Sequence, residues 1–467
     1  MLRTIPSTEQ ASQAADHYRR SVPLYPAPLM ALWLIGLNIF QDQLLALPLK
    51  VICNIASISI IIILLVVFRS TRLRFWSASA VYAIIFCLFH FGATIVYGLN
   101  ISISSYLELA MSRWFYLPDT REAVLLAISG LIACGLGIYI VSLFRPIASA
   151  VSESLPAFTN ILGIAGFVLI ALCLIGWFAT VIGSGGLSLL TGSYRSWLDS
   201  TSGSLLTYTY YGFGLGLTFL AAACPGKLRT LGFGLFGFWC LFALPLGLRG
   251  EVLFPVSAAL VVTARRRIPL TTKQALICGL VLLALIAIIR EVRQVGLESF
   301  NLSETHFSPQ DALAELGGSL RPVTVVVLWH RAGEDLIQGA SYWAPVERAL
   351  FRLIPDLNVQ HISAYEDDRL LNVLIQSRVG FIGFSPIAEA YYNFGNIGVL
   401  IVMMLTGLVL GYLDRMATTR LNQAVIGVVL VPLLIQIRNA FVQVPTQIIL
   451  GFITLGFVVA LSRLFQK

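Results

Sequence analysis

Long apolar runs alternate with short polar segments along most of the 467-residue chain. Twelve of these runs approach the length of a membrane-spanning helix, which needs about 20 apolar residues. They lie near 23–40, 49–68, 76–98, 122–144, 159–182, 204–224, 230–247, 252–264, 274–290, 395–414, 424–438 and 446–463. The pattern predicts an all-α polytopic integral membrane protein with about twelve transmembrane helices.

The composition excludes a soluble protein. Hydrophobic residues make up 57% of the chain, charged residues only 12%, and the mean hydropathy is +0.85. A typical soluble domain is about 25% charged. With this many apolar runs, a single membrane anchor attached to a soluble catalytic domain is excluded as well.

The positions of the basic residues predict the orientation in the membrane. In the twelve-helix arrangement, seventeen Lys and Arg lie in the loops and tails on the side of both termini. The short loops opposite contain four arginines, Arg113, Arg121, Arg195 and Arg249. Cytoplasmic loops carry the excess of positive charge, so both termini are expected in the cytoplasm. The net charge of +8 is thereby explained by topology, and we expect no nucleic-acid partner.

One segment, 291–393, has a soluble-like composition and would lie outside. It contains thirteen of the 23 acidic residues and three of the five His. We predict a membrane domain over 1–290, a helical periplasmic cap loop over 291–393, and C-terminal membrane helices over 394–467. The first part would hold about nine transmembrane helices and the last about three.

Two arginines at the outer ends of apolar helices are candidates for anion binding. Arg249 lies in the turn GLRGE, where the flanking Gly residues let a ligand approach the backbone. Arg438 ends the run 424–438, and ionisable residues at membrane depth generally face a cavity or a partner. Both could instead be interfacial anchors. Two Arg opening to one external cavity would suit a diphosphate.

The stretch GFSPIAEAYYNFG, 383–395, precedes the tenth predicted span. Glu389, Tyr392 and Asn393 can share a helical face, and a half-buried carboxylate there could accept a proton. The alternative is an aromatic belt with a capping Glu.

In the cap, His330 and His361 are candidate bases or surface residues. The eight basic residues in and next to the cap are all Arg, and none is Lys. Arg favours bidentate recognition of anions. The eight are Arg290, Arg293, Arg321, Arg331, Arg348, Arg352, Arg369 and Arg378.

The sequence lacks the motifs of several other mechanisms. It has no phosphate-binding GxxxxGK[ST] loop, no HExxH, no GxSxG and no Cys/His metal spacing. The first external loop offers only Gln41-Asp42-Gln43, without an Asp-x-Asp pair for a divalent ion. We therefore expect a metal-independent mechanism without a cofactor.

Three stretches resemble the O-antigen polymerase (Wzy) family of oligosaccharide repeat-unit polymerases. They are GFSPIAEAYYNFGNIG (383–398), SGGLSLLTGSYRSW (184–197) and the turn RGEVL (249–253). The resemblance implies a GT-C-like membrane glycosyltransferase in the bacterial inner membrane, with its active site facing the periplasm. Its substrate would be undecaprenyl-diphosphate-linked oligosaccharide, and its expected partners are membrane lipids, a chain-length regulator and a flippase.

The implied reaction moves a growing glycan onto the next lipid-linked repeat unit in lipopolysaccharide biosynthesis. The resemblance implies that external arginines handle the substrate, and these would be Arg249, Arg438 and members of the cap set. Together with a base for the acceptor hydroxyl, the catalytic candidates are Arg249, Glu389 and His330. The substrate-binding candidates are Arg438, Arg293, Arg378, Arg195, Tyr392 and Asn393. Two alternatives stay open: an O-antigen ligase, which transfers glycan to a lipid A core, and a polysaccharide flippase or transporter.

Overall fold

In the computed structural model, every regular element of the described chain is a helix. The described residues are 25–71, 74–145, 156–192, 194–201, 204–223, 225–266, 308–353 and 366–465, with short pieces between 271 and 292. The helices before residue 145 are α1 (Pro26–Ile39), α2 (Gln41–Leu45), α3 (Leu49–Ser70), α4 (Ala78–Gly98), α5 (Ser105–Ser112) and α6 (Asp119–Phe144).

The middle of the chain forms a second group of helices: α7 (Pro156–Gly185), α8 (Tyr194–Thr201), α9 (Ser204–Ala222), α10 (Lys227–Ala243) and α11 (Arg249–Ala264). The chain reverses between α10 and α11 at Gly247, whose φ of 81° is a left-handed value that glycine adopts without a steric penalty. This turn places Arg249 at the first position of α11.

The remaining helices follow residue 308. They are α12 (Pro309–Leu316), α13 (Arg321–Arg331), α14 (Ala340–Leu353), α15 (Leu371–Arg378), α16 (Pro386–Arg415), α17 (Arg420–Gln436) and α18 (Val444–Leu464). A 3₁₀ turn, Gly317–Leu320, joins α12 to α13, and another, Phe441–Gln443, leads into α18.

Seven of the described helical segments are long and apolar enough to cross a membrane. They are Leu49–Ser70, Ala78–Gly98, Asp119–Phe144, Ala157–Gly185, Pro309–Arg331, Pro386–Arg415 and Phe441–Leu464. Six coincide with predicted spans. The seventh, Pro309–Arg331, lies in the range predicted as the cap, and α16 also begins inside that range. The protein is thus a polytopic helical membrane protein.

Glycines bring α6 and α16 into direct backbone contact. A Cβ on Gly407 would lie 2.1 Å from the carbonyl oxygen of Cys134, and one on Gly137 would lie 2.3 Å from that of Met404. Small residues allow helices to approach this closely in a membrane. The two helices therefore pack directly against each other.

Helix α16 has two parts separated by a kink at Gly395, where φ is +64°. Residues 386–393 are all buried. After the kink, apolar side chains recur on one exposed side at Ile397, Ile401, Leu405 and Val409. The helix therefore passes from the protein interior to the outer surface of the bundle at this residue.

A second glycine contact fixes α4 against the turn after α12. A Cβ on Gly92 would lie 2.0 Å from the carbonyl oxygen of Leu313, and one on Gly317 would lie 2.2 Å from the amide nitrogen of Ala93. Since both obstacles are backbone atoms, this approach requires glycine. The contact places α12 and its turn beside the C-terminal half of α4.

Candidate anion-binding cavity

A cavity of about 240 Å³ lies where α4, α5, α11, α12 and α13 meet the segment after α17. One part of its wall is apolar and aromatic, and the other part carries charged groups. The lining residues are Phe89, Leu107, Ala110, Met111, Trp114, Arg249, Ala314, Glu315, Leu316, Gly318, Ser319, Arg321, Phe381, Ile382 and Arg438.

Arg249 is the most buried of the cavity's charged residues, with a side chain that is only 3% exposed. Its Nη2 donates to Oε1 of Glu315 over 2.6 Å. Its Nε and Nη1 are buried and have no hydrogen-bond partner among the described residues. Because buried guanidinium donors are costly to leave unsatisfied, this group is suited to receive an anion from the cavity.

Arg438 reaches the same cavity from the segment after α17. Its carbonyl oxygen accepts a hydrogen bond of 3.0 Å from the Phe384 N–H. The guanidinium carbon lies 5.9 Å from the centroid of the Phe89 ring, within the range of a cation–π contact. The structure thus brings together two arginines that are far apart in the sequence.

Arg321, the first residue of α13, is a third cation in the lining. The positive charge of Arg113, an exposed residue directly after α5, repels that of Arg321. The lining itself therefore has three arginines against one carboxylate, that of Glu315. Such an excess of fixed positive charge in a partly apolar pocket favours a dianionic or trianionic ligand.

Glu389 and Asn393 lie in a different place, inside the buried first part of α16. Glu389 is 1% exposed. Its Oε1 accepts from the Ser341 hydroxyl over 2.9 Å, and its Oε2 accepts from the Phe441 N–H over 2.7 Å. The Asn393 amide donates to the Ser341 hydroxyl over 2.7 Å. Neither side chain is part of the cavity wall.

Three further predicted residues gather at the C-terminal end of α13, also outside the cavity wall. The guanidinium carbon of Arg378 lies 4.8 Å from the ring centroid of Trp329, and Tyr392 packs edge-on against that ring. Arg378 also pairs with Glu334 over 2.5 Å. His330 is exposed, and its Nδ1 lies 3.0 Å from the Glu334 carbonyl oxygen. The side chain of Arg195 and all of Arg293 lie outside the described residues.

Neither Glu315 nor His90 is among the site residues predicted from the sequence. Glu315 lies in a segment that reads as an amphipathic surface helix, and His90 is a single polar residue in an apolar span. His90 is fully buried, and its Nε2 lies 2.7 Å from the Ser385 hydroxyl. A polar residue in an apolar span is the only signal that could have indicated it.

Comparison with known proteins identifies related sequences. A family model described as O-antigen polysaccharide polymerase Wzy matches residues 31–467. A curated relative, Protein CapE of Staphylococcus aureus, is 31% identical over 211 residues, covering 45% of this chain and 46% of CapE. The matched region thus spans about half the length of that relative. No solved structure matches the chain.

Proposed function

The chain belongs to the O-antigen polysaccharide polymerase Wzy family, and we propose that it polymerises undecaprenyl-diphosphate-linked oligosaccharide repeat units. In this proposal the growing glycan is transferred from its carrier onto the next lipid-linked repeat unit, and polyprenyl diphosphate is released. The reaction takes place at the periplasmic face of the inner membrane. The chain crosses the membrane about twelve times, with both termini in the cytoplasm.

The observation that carries the proposal is the convergence of Arg249, Arg321 and Arg438 on one cavity. A lipid diphosphate has two or more negative charges and several acceptor oxygens, which match the excess of guanidinium groups. The buried, unsatisfied nitrogens of Arg249 provide donors for it. The apolar wall from α4 and α5 would then face the isoprenoid next to the diphosphate.

The chemistry that the cavity would support is a displacement at the anomeric carbon of the donor glycan. A hydroxyl oxygen of the acceptor sugar forms a bond to that carbon, and the bond from the carbon to the diphosphate oxygen breaks. The leaving diphosphate gains negative charge, which fixed arginines stabilise more in the transition state than in the ground state. This role needs no metal ion.

The acceptor hydroxyl must also lose its proton. Of the described carboxylates, only that of Glu315 lies in the cavity wall, and we propose it as the proton acceptor. Glu389 lies outside this wall, with both oxygens hydrogen-bonded. His330 follows Arg321 by nine residues, about 13 Å along the axis of α13. It is therefore less well placed than Glu315.

The test uses the purified protein in detergent with undecaprenyl-diphosphate oligosaccharide and no metal or nucleotide. We expect a ladder of longer lipid-linked glycans, lost or reduced at least about 100-fold in Arg249→Ala and Arg438→Ala, as for other charge-stabilising groups. Arg121→Ala, which removes an arginine outside the cavity wall, is the matched control. Transfer only to a lipid A core acceptor would indicate a ligase, and movement of lipid without transfer would indicate a flippase.

A further inference from the structure

The buried polar cluster at the start of α16 connects three parts of the chain. The Glu389 carboxylate accepts one hydrogen bond from Ser341 in α14 and another from the backbone N–H of Phe441. The two bonds use different carboxylate oxygens, so one side chain holds α14 and the Phe441 turn at once. With Glu389 1% exposed, no external ligand reaches it in this arrangement.

Asn393, one turn further along α16, fixes the direction of the Ser341 hydroxyl. Its Nδ2 donates to Ser341 Oγ and to the Glu389 carbonyl oxygen, both over 2.7 Å. Its Oδ1 accepts from the Ser341 N–H over 3.3 Å. Since Ser341 Oγ accepts from Asn393, its own proton is directed at Glu389. The cluster is therefore satisfied internally, as buried polar groups need to be.

Residues at the start of α16 also form hydrogen bonds with the backbone of the segment that contains Arg438. The Phe441 N–H bound by Glu389 is three residues after Arg438, and the Phe384 N–H donates to the Arg438 carbonyl oxygen. The short segment from Arg438 to Phe441 is thus attached at both ends to residues flanking the start of α16. Within the described ranges, Arg438 makes no ion pair that would orient it independently.

His90 and Ser385 complete this attachment. Ser385 is the N-cap of α16 and accepts from the N–H groups of Ile387 and Ala388. His90 Nδ1 lies 3.2 Å from the Phe86 carbonyl, which can only accept. Nδ1 therefore carries the proton, and Nε2 accepts from the Ser385 hydroxyl. The residue before His90 is Phe89, whose ring faces Arg438.

We propose that Glu389 is a positioning residue that holds the Arg438 segment at the cavity, and that His90 anchors the other side of the same attachment. The inference rests on the proposed function, because it takes Arg438 as a ligand of the diphosphate. Glu389 then affects the reaction through Arg438 and takes no proton from the acceptor. Its effect should be exerted on binding of the diphosphate and on its departure.

The experiment compares Glu389→Ala, Glu389→Gln, Arg438→Ala and the double variant Glu389→Ala/Arg438→Ala in the full-length protein. Binding of undecaprenyl diphosphate and ladder formation are both measured. Gln keeps one oxygen for the Phe441 N–H and can donate to Ser341, so we expect it to stay within about threefold of the unmodified protein. Glu389→Ala should weaken binding about tenfold, the effect of losing one good hydrogen bond to a charged group.

The double variant decides the mechanism. If Glu389 acts through Arg438, the double variant binds no more weakly than Arg438→Ala alone. Ser341→Ala, which removes one donor to the carboxylate, provides a milder second variant if Glu389→Ala does not fold. Ser341→Ala should weaken binding of undecaprenyl diphosphate less than Glu389→Ala does. In the Arg438→Ala background it should have no further effect on binding.

Three results would overturn the inference. Equal loss of the ladder in Glu389→Gln and Glu389→Ala would indicate proton transfer by the carboxylate. If the double variant loses binding by the product of the fold-losses of Glu389→Ala and Arg438→Ala, Glu389 does not act through Arg438. Absence of undecaprenyl diphosphate binding to the unmodified protein would remove the site itself. Binding without a ladder, by contrast, refutes the proposed function alone and leaves the inference supported if the double variant behaves as expected.

Discussion

Arg249 and Glu315 form an ion pair of 2.6 Å, Nη2 to Oε1, inside the wall of the cavity. The two side chains differ in environment, since Arg249 is 3% exposed and Glu315 is 25% exposed. The pair therefore joins a buried cation to a carboxylate that the cavity can reach. A diphosphate that binds Arg249 would compete with Glu315 for the guanidinium.

Replacing Glu315 with Gln should separate binding from turnover. Gln retains an oxygen for Arg249 but removes the only described negative charge of the cavity wall. We expect tighter binding of inorganic pyrophosphate, by a few-fold at 0.15 M salt, together with a loss of ladder formation of about 100-fold or more, as for a general base.

Glu334→Gln is the matched control, because Glu334 pairs with Arg378 outside the cavity wall. It should leave pyrophosphate binding unchanged. An undiminished rate of polymerisation in Glu315→Gln would exclude Glu315 as the proton acceptor.

The contact between α4 and the turn after α12 should be sensitive to one methyl group. Gly317→Ala places a Cβ 2.2 Å from a backbone nitrogen of α4, so the turn must move together with Glu315 and Ser319. Overpacking of this kind costs about 1–3 kcal/mol. We expect a lower melting temperature in detergent and a loss of ladder formation.

Gly318→Ala provides a control one residue away. Gly318 also lines the cavity, but a Cβ there would have no neighbour within 4 Å. Its melting temperature should match that of the unmodified protein. If Gly317→Ala were equally harmless, the close backbone approach would not be what positions α12.

Arg331 connects α13 to the beginning of α6. It donates to Asp119 over 2.9 Å and to Glu122 over 2.7 Å, and both acids are largely buried. Arg331→Ala leaves two buried carboxylates without this partner. Because Arg331 itself is 41% exposed, we expect a loss of about 2 kcal/mol, less than for a fully buried pair.

The comparison is with Arg378→Ala, which breaks an ion pair whose two side chains are both substantially exposed. Exposed pairs contribute about 1 kcal/mol or less. Melting temperatures of the two variants in the same detergent give the difference. Equal shifts would show that burial of Asp119 and Glu122 does not strengthen the Arg331 contacts.

The ion pairs that Asp367 makes with Arg348 and Arg369 should make the stability of the protein sensitive to acid. Burial acts to raise the pKa of Asp367, but hydrogen bonds from the Arg369 side chain and backbone outweigh it, and the pKa lies below its ordinary value. Arg348 adds a contact of 3.5 Å. A carboxylate with a lowered pKa contributes stability at pH values above about 4, and this contribution disappears as the pH falls through the lowered pKa.

We therefore expect Asp367→Asn to lower the melting temperature at pH 7 and to approach the unmodified protein as the pH falls through the lowered pKa of Asp367. Asp368→Asn, at the exposed neighbouring position, should lower it less at pH 7. A constant difference between Asp367→Asn and the unmodified protein over the whole pH range would contradict this assignment.

The sequence predicted the helices better than the site. Apolar runs determined most helix positions because a span must be continuously apolar, whatever its neighbours. Arg249 and Arg438 could be predicted as candidates because charge at the end of an apolar helix is visible in the local sequence. Glu315 could not be assigned to the cavity, since its position depends on the contact between Gly92 and Gly317, more than 200 residues apart.

Glu389, unlike Glu315, could be selected from its local sequence, but its contacts could not. Its sequence context indicated a carboxylate at the mouth of the membrane, and the residue is indeed at the start of a long apolar helix. The partners that occupy its two oxygens, Ser341 and Phe441, come from distant parts of the chain. No local pattern in the sequence distinguishes a carboxylate that can accept a proton from one whose two oxygens already accept hydrogen bonds from other parts of the protein.

Because of the kink at Gly395, the direction in which side chains point from the first part of α16 does not determine their direction in the second part. In a continuous helix, the angle of Glu389 and Asn393 around the axis would dictate which later residues face outward, every 3.6 residues. The left-handed residue at Gly395 breaks that relation. The apolar side from Ile397 to Val409 can therefore be altered to suit a bilayer of different thickness or lipid content while the interior polar cluster keeps its register. Gly395 thus separates the membrane-facing side of α16 from the geometry of the buried polar cluster.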